Sequence, residues 1–198
     1  QYSRSEGSPT GGATRGGYVR YSQSRFAGGV GYQDYESGSG KKIKAWTAGG
    51  SYRTGAWYFN LGYGQNKVDA GLTPVDMAVL GAFWSGNVNG GFGGPGFLVA
   101  NKRKMYTIGL GYQVTPQLNL GLHYFRAKQS GVAAAANARA NFVTVAADYA
   151  FSKRTDFYVE VDRTTLSGDH VSLASAADNK PNGAKSRWGV TVGLRHRF

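Results

Sequence analysis

The chain has 198 residues, among them 31 glycines, 13 tyrosines, 10 phenylalanines and 4 tryptophans, no cysteine, and a formal net charge of +12. Its charged fraction is only 17% and its aromatic residues are evenly spread, which excludes a basic disordered tail and a typical nucleic-acid-binding arm. The absence of cysteine excludes a disulfide scaffold and thiolate metal sites.

The hydropathy pattern contains no run of about 18 apolar residues, which argues against transmembrane helices. It does not argue against a membrane protein built from strands. A transmembrane strand needs only about 9 to 11 residues with one apolar face, so a barrel averages out as hydrophilic.

The first residues predict a loop. Residues 1–15 are rich in Ser, Gly and Thr and include Pro9. They lack the basic and then apolar pattern of a signal peptide, so either a leader has been removed or the chain begins partway through a longer protein. The next segment, residues 17–22, is strand-like but short, and its facing is uncertain. We predict an outer loop segment at residues 1–16 and barrel strands over residues 17–198.

From residue 17 onward, apolar and polar residues alternate in nine segments. The clearest has Trp57, Phe59, Leu61 and Tyr63 at every second position, with small or polar residues between them. A period of two is the pattern of a strand with one apolar face and one polar face. The predicted strands lie at residues 17–22, 26–34, 43–53, 57–64, 105–113, 118–124, 143–151, 157–162 and 188–198.

Aromatic residues recur at both ends of the apolar faces, as Trp57 and Tyr63 do around Phe59 and Leu61. Amphipathic rings prefer the headgroup level of a bilayer, so this spacing predicts two aromatic girdles on a lipid-facing surface. The predicted girdle residues are Trp46, Tyr52, Trp57, Tyr63, Tyr106, Tyr112, Tyr124 and Tyr149.

The connections alternate between short and long. Short ones are predicted at residues 23–25, 54–55, 115–116 and 152–154, and long ones near residues 35–42, 66–102, 128–139 and 166–186. This alternation predicts that all tight turns lie at one end of the sheet, the periplasmic end of a membrane barrel, and all long loops at the other.

The chain ends in a strand-like segment from Trp188 that stops on an aromatic residue. The apolar positions in its last part are Val190, Val192, Leu194, His196 and Phe198. This segment resembles the C-terminal strand of a bacterial outer-membrane β-barrel. The run Gly-Leu-Arg-His-Arg-Phe is similar to the ending of the general porins of β-proteobacteria. The resemblance implies an integral outer-membrane protein whose terminal strand is read by the barrel-assembly machinery.

The same resemblance implies an all-β, antiparallel transmembrane barrel of about sixteen strands, assembled as a homotrimer. Nine strands are an odd number, whereas single-chain bacterial barrels have an even number. We therefore predict that the chain is the C-terminal half of a porin, without the third outer loop that sets the narrowest point in that family. If residues 17–22 are not a strand, eight strands remain, which could close around a lumen filled by their own side chains.

The polar faces carry charges that would line a pore, where one sign of charge admits ions of the other. The predicted pore-lining residues are Arg53, His123, Asp148, Glu160, Asp162, Arg187, Arg195 and Arg197. His123 is read as a polar filler of the lumen, with a proton-sensitive role as the alternative. The basic excess predicts weak anion preference. The alternative is that most of these charges lie in solvated loops or pair with lipopolysaccharide phosphates.

No catalytic residue, metal ligand or cofactor is predicted. Glu160 and Asp162 form a carboxylate pair of the kind that some glycosidases use, but no third group accompanies them. Residues 35–42 depart from the phosphate-loop pattern at its first and last positions.

The leading hypothesis is therefore a porin through which small hydrophilic solutes and ions diffuse passively. Its predicted partners are outer-membrane lipid, lipopolysaccharide and the assembly machinery, with no nucleic acid. The alternative is a small non-conducting barrel that serves as a membrane anchor or surface adhesin through its long loops.

Overall fold

The computed structural model describes residues 2–4, 12–71, 73, 76, 100–131, 137–168 and 184–198. In this part of the chain ten strands form one antiparallel sheet, and each strand pairs with its neighbours in sequence. The strands are β1 (Tyr2–Arg4), β2 (Ala13–Gln23), β3 (Phe26–Glu36), β4 (Lys42–Thr54), β5 (Trp57–Val68), β6 (Ala100–Gln113), β7 (Leu118–Gly131), β8 (Ala138–Ala150), β9 (Thr155–Gly168) and β10 (Ser186–His196). The predicted antiparallel β architecture is confirmed, and the sheet is open, with β1 and β10 at its edges.

The nine long strands, β2 to β10, correspond to the nine predicted ones, but they are longer at one end. At the tight turns the predicted and observed bounds agree closely. At the long loops, β6 begins at Ala100 instead of residue 105, and β8 begins at Ala138 instead of residue 143. In the added part of β6 most residues on both faces are polar, and in the added part of β8 the apolar residues Ala138, Ala140 and Phe142 have the phase of the polar face. In neither place does a period of two show an apolar face that continues the one predicted.

The start of the chain also differs from the predicted loop at residues 1–16. Strand β2 begins at Ala13, and Tyr2–Arg4 pairs with its first residues. Ser, Gly and Thr predict loops only weakly when a neighbouring strand can satisfy the backbone hydrogen bonds. Of the predicted loops, residues 5–11, 77–99, 132–136 and 169–183 lie outside the described residues.

The tight turns have local chemical causes. Gly55, between β4 and β5, has a φ of 54°, a left-handed conformation that costs glycine little. In the turn before β9, the hydroxyl of Ser152 accepts hydrogen bonds from the amides of Arg154 (3.1 Å) and Thr155 (3.0 Å). In the turn before β7, the amide of Leu118 donates to the hydroxyl of Thr115 at 3.0 Å. Short loops of this kind hold adjacent strands in one register.

The register gives the sheet two chemically different surfaces. Phe59 lies opposite Leu110 and Leu61 opposite Ile108, so their side chains share one surface, which we call the apolar face. Tyr58 and the residues that alternate in phase with it form the other surface, the polar face. The apolar face is uncovered in the described part of the chain: Leu61 is 66% exposed. An exposed apolar surface of this extent indicates a non-aqueous surrounding and not a second packed layer.

Few apolar side chains are buried, and all of them lie near the long loops. Among the described residues these are Ile43, Val68, Ala138 and Leu166. Ile43 lies opposite Val68 at the outer ends of β4 and β5, on the polar face. The sheet therefore holds together mainly through its backbone ladder, with small local clusters under the loops.

Asp76, in the segment after β5, ties that segment to the turn between β3 and β4. Its carboxylate accepts hydrogen bonds from the hydroxyls of Ser37 (2.6 Å) and Ser39 and from the amide (2.8 Å) and hydroxyl (2.7 Å) of Thr73. The hydrogen bonds from Ser37, Ser39 and Thr73 lower the pKa of Asp76 below its ordinary value, and their effect exceeds the opposing effect of its burial.

We predict that Asp76→Asn loosens this loop contact. Because the lowered pKa means that the charged form is favoured in the folded protein, the contact is complete above the ordinary pKa of aspartate, about 3.9, and is lost as pH falls further. Hydrogen exchange at the Thr73 amide should accelerate roughly ten-fold at neutral pH in the variant. Asp69→Asn is the matched control, since Asp69 accepts from the Lys42 amide instead. Unchanged exchange at Thr73 in Asp76→Asn would contradict the assignment.

Candidate functional site

The polar face is the candidate site, and the register shows where each predicted residue lies on it. Arg53, His123, Asp148, Glu160, Asp162, Arg187 and Arg195 all have the phase of the polar face. Arg197 follows β10, and its amide donates to the carbonyl of Arg154 at 2.9 Å, which continues the ladder in the same phase.

At the turn end of this face, Arg195 joins two carboxylates on neighbouring strands. Its Nε and Nη2 donate to Oδ2 of Asp156 at 2.9 and 2.7 Å, and Nη2 lies 3.9 Å from Oδ2 of Asp148. The sequence analysis missed Asp156 because it began that strand one residue later. The only signal for it is that Asp156 is in phase with Glu160 and Asp162.

The remaining carboxylates lean across their neighbours on the sheet. Glu160 accepts a hydrogen bond from the hydroxyl of Thr144 at 2.8 Å. Asp162 lies against Gly189, where a Cβ atom would collide with its carboxylate. Glycine on β10 thus makes room for a side chain of β9, and the acids stay close to the wall instead of projecting from it.

Two arginines on β2 and β4 are differently placed. Arg20 and Arg53 are exposed on the polar face, and neither forms an ion pair with a carboxylate of the described residues. The guanidinium of Arg53 lies over the ring of Tyr58, 5.5 Å from its centroid. Arg20 was not predicted. Residues 17–22 carry an aromatic residue on each face, so the sequence did not show which face of that strand is apolar.

Between these arginines and the acids, one row of the polar face consists of glycines. Gly49 lies opposite both Gly29 and Gly62, so a row across three strands carries no side chain. A groove of about 650 Å³ follows this part of the wall and is lined in part by Tyr18 and Arg20. The glycines therefore widen the space in front of the sheet.

His123 lies in an aromatic patch that the sequence analysis did not foresee. Its Nε2 is hydrogen-bonded to the hydroxyl of Thr107, and its ring stacks on Phe125 with centroids 4.2 Å apart. Phe125 contacts Phe142 with centroids 5.8 Å apart. The polar face is therefore not uniformly hydrophilic.

The predicted girdle residues all have the phase of the apolar face, and several of their rings meet near one end or the other of the strands. Near the long loops, the ring of Tyr63 lies 4.7 Å from that of Trp46 and 4.9 Å from that of Tyr106. Near the turns, Trp57 lies 4.4 Å from Tyr112. Tyr124 lies opposite Ile108, one step nearer the turns than Tyr106, and Tyr52 and Tyr149 lie near the turn ends of their strands.

The C-terminal strand presents the same apolar face. Val190, Val192 and Leu194 are 70%, 60% and 67% exposed. His196 accepts or donates a hydrogen bond at Nδ1 with the hydroxyl of Thr155 (2.9 Å), and its ring meets Phe198 edge-on at 4.9 Å. In the described part of the chain, the far edge of β10 has no strand beside it.

No cluster of three or more acidic or histidine side chains in the described ranges could hold a metal ion. Within those same ranges, no helix is long and apolar enough to cross a membrane.

Comparison with known proteins identifies the class of fold and the family. A sequence model described as "Gram-negative porin" matches residues 1–169. The structure is similar to the anion-selective porin from Comamonas acidovorans, with 20% identity, a TM-score of 0.64, and coverage of 94% of this chain and 49% of that one. No curated protein sequence matches the chain.

Two further structures share the fold. For OmpT, an outer membrane protein of Vibrio cholerae, the identity is 11%, the TM-score 0.62, and the coverage 95% of this chain and 56% of that chain. For OccAB4 of Acinetobacter baumannii, the identity is 13%, the TM-score 0.57, and the coverage 99% and 48%.

The chain belongs to the Gram-negative porin family and is an integral β-barrel protein of the outer membrane. The resemblance inferred from its sequence is thus confirmed. The chain spans about half the length of the solved porins that it matches. The C-terminal strand, which carried the resemblance, lies beyond the residues that the family model matches.

We predict that Leu61→Arg on the apolar face destabilises the barrel in lipid by about 2–4 kcal/mol, the cost of an arginine near the bilayer midplane. Ser51→Arg is the matched control, because Ser51 lies at a similar depth on the polar face. Equilibrium refolding into lipid vesicles in urea would measure both. Equal destabilisation by the two variants would show that the apolar face does not meet lipid.

Proposed function

We propose that the protein forms a water-filled channel in the outer membrane, through which small hydrophilic solutes and ions diffuse passively. The observation that carries this proposal is the contrast between the two faces of the sheet. One face is apolar and uncovered, with aromatic rings near both ends of the strands, and the other has a glycine-floored groove of about 650 Å³ lined in part by Arg20 and His123. A barrel with this alternation encloses water on its polar side.

We also propose a weak anion preference. Its support is that some carboxylates of the polar face are paired with an arginine, whereas some arginines of that face are not paired with a carboxylate. Asp148 and Asp156 lie against Arg195, whereas Arg20 lines the groove and Arg53 lies on the same face, both without an ion pair to a carboxylate of the described residues. A field from unneutralised arginines on a pore wall favours anions. The anion-selective porin from Comamonas acidovorans has a similar fold, which is consistent with this proposal.

The assembly is proposed as a homotrimer of barrels, each closed by strands beyond those described. OmpT of Vibrio cholerae has been solved in a trimer form, and that fold covers 99% of this chain. The exposed apolar residues and free edge of β10 support its proposed role as the segment read by the barrel-assembly machinery. Lipid and lipopolysaccharide are the proposed partners of the outer surface.

We expect the protein, purified from outer membranes and inserted into planar bilayers, to give stable conductance steps. Under a salt gradient, Arg20→Glu and Arg53→Glu should each shift the reversal potential toward cations. Reversing one charge about 8 Å from a univalent ion changes its energy by about 1 kcal/mol at the dielectric constant of water, roughly five-fold in occupancy before screening.

Arg20→Lys and Arg53→Lys keep the charge and serve as controls. A reversal potential that is unchanged in both Glu variants would refute anion preference without refuting the channel. A folded barrel that produces no conductance steps would refute the channel and favour an anchor or adhesin.

A further inference from the structure

One row of the polar face has large residues at its two ends and small residues between them. From β5 to β9 this row consists of Tyr58, Gly111, Gly121, Ala146 and Glu160. A Cβ atom placed on Gly121 would meet no heavy atom within 4 Å apart from those of its own chain neighbours. The middle of the row is therefore the floor of a depression, with Tyr58 at one end and Glu160 at the other.

The neighbouring rows close the other two sides of this depression. Asn60, His123 and Thr144 lie in the next row toward the long loops, and Asn119 lies on the side of the turns. The side chain of Asn60 lies over Gly109, where a Cβ atom would be 2.5 Å from its Nδ2. The enclosed space has a volume of about 290 Å³, close to the roughly 300 Å³ at which small-molecule pockets begin. We call it the wall pocket, and the polar residues that line it are Tyr58, Asn60, Asn119, His123, Thr144 and Glu160.

Most hydrogen-bonding groups of the wall pocket are not used by the described part of the chain. The hydroxyl of Tyr58 and the side-chain amides of Asn60 and Asn119 have no hydrogen-bond partner there. Glu160 accepts a hydrogen bond from the hydroxyl of Thr144 through Oε1 only, which leaves Oε2 available. These groups can therefore bond to a ligand in the wall pocket.

The available groups include both donors and acceptors. Each amide can donate and accept, the hydroxyl of Tyr58 can do the same, and the carboxylate of Glu160 accepts. A complementary ligand must also donate and accept at several positions, as the hydroxyl groups of a sugar do. A metal cation would require oxygen ligands alone. No Lys or Arg of the described residues lines the wall pocket, so an anion or a zwitterion would find no cationic partner.

Aromatic rings add a second feature that suits a sugar. Tyr58 and His123 both line the wall pocket. The orientation of His123 is fixed, because its ring stacks on Phe125 with centroids 4.2 Å apart and its Nε2 is hydrogen-bonded to the hydroxyl of Thr107. The face of an aromatic ring carries partial negative charge, and the C–H groups of a sugar ring carry partial positive charge.

The wall pocket is accessible along the polar face. Tyr58, Asn60 and His123 line both the wall pocket and the groove of about 650 Å³ that passes Tyr18 and Arg20. The two spaces are therefore continuous, and a solute that moves along the groove reaches the wall pocket directly.

We propose that the wall pocket binds a neutral hexose in its pyranose form. A ligand of about twelve non-hydrogen atoms in an open pocket should have a dissociation constant on the order of 1–10 mM. Affinity in this range permits release, which a diffusion channel requires. Binding needs only the folded polar face, whereas a contribution to the passage of sugars rests on the proposed function.

The binding test uses the protein purified from outer membranes into a detergent without a sugar headgroup, because a sugar headgroup would compete for the site. Saturation-transfer NMR titrations measure the dissociation constant of D-glucose. Two further probes are tetraethylene glycol, whose ether oxygens only accept hydrogen bonds, and glucuronate, which has the same ring with a negative charge. We expect glucose to bind most tightly, because glucuronate is repelled by Glu160 and tetraethylene glycol has few donors.

Three variants locate the site. Gly121→Val places a side chain on the open floor and should weaken glucose binding at least ten-fold. Glu160→Gln keeps the shape but replaces a charged acceptor, and should weaken binding roughly five-fold. Gly64→Val is the matched control and should leave it unchanged. Gly64 has the phase of the polar face, does not line the wall pocket, and has 3.5 Å of space to the nearest atom for a Cβ. Circular dichroism establishes that each variant is folded.

Equal glucose affinity in the unmodified protein, Gly121→Val and Glu160→Gln would overturn the proposal. Binding of tetraethylene glycol or glucuronate as tight as that of glucose would also overturn it, because the site would then not recognise a neutral, hydroxylated ring.

Conductance in planar bilayers separates this proposal from the channel. Conductance steps that glucose reduces in the unmodified protein, and reduces less in Gly121→Val, support both. Glucose binding in a protein without conductance steps would support the wall pocket and refute the channel. Conductance steps in a protein that does not bind glucose would support the channel and overturn the wall pocket.

Discussion

The structure depends on one constraint, the register of the antiparallel backbone ladder. With a side-chain period of two, a slip of one residue between β9 and β10 would turn every side chain of one strand to the other face. Both faces resist such a slip. Leu194 lies beside Phe157 on the apolar face, and Arg195 is bonded to Asp156 on the polar face. The separation of the apolar face from the polar face follows from these pairings.

The same periodicity explains which parts of the fold could be predicted from the sequence. The alternation from Trp57 to Tyr63 stands out because one face meets lipid and the other meets water, and Gly55 and Thr115 specify turns through local chemistry. Toward the long loops the contrast weakens or reverses, since Ala140 and Phe142 of β8 have the phase of the polar face, while the ladder continues. The bounds predicted for β6 and β8 at the long loops were therefore too short. The apolar face of residues 17–22 could not be predicted, because Tyr18 and Tyr21 lie on opposite faces of the strand.

The candidate site was predictable as a face but not as a set of contacts. Alternation orients Arg195, Asp148 and Glu160 toward the polar face, and the register agrees. It does not say that Arg195 bonds to Asp156, because that contact depends on the register of two strands joined by a long loop. The aromatic patch of His123 and Phe125 was also missed. An apolar residue on the polar face interrupts the alternation, so the alternation cannot predict it.

The placement of charge changes what the net charge of +12 implies. Read from composition, the basic excess indicated anion preference. In the folded sheet, Lys67, Lys104 and Lys128 have the phase of the apolar face, on the opposite side from Arg20 and Arg53, and the Debye length at physiological salt is about 8 Å. In the proposed channel, permeating ions would therefore respond mainly to charges of the polar face. Because neighbouring residues of one strand face opposite sides, substitutions can alter the charge of the two faces independently.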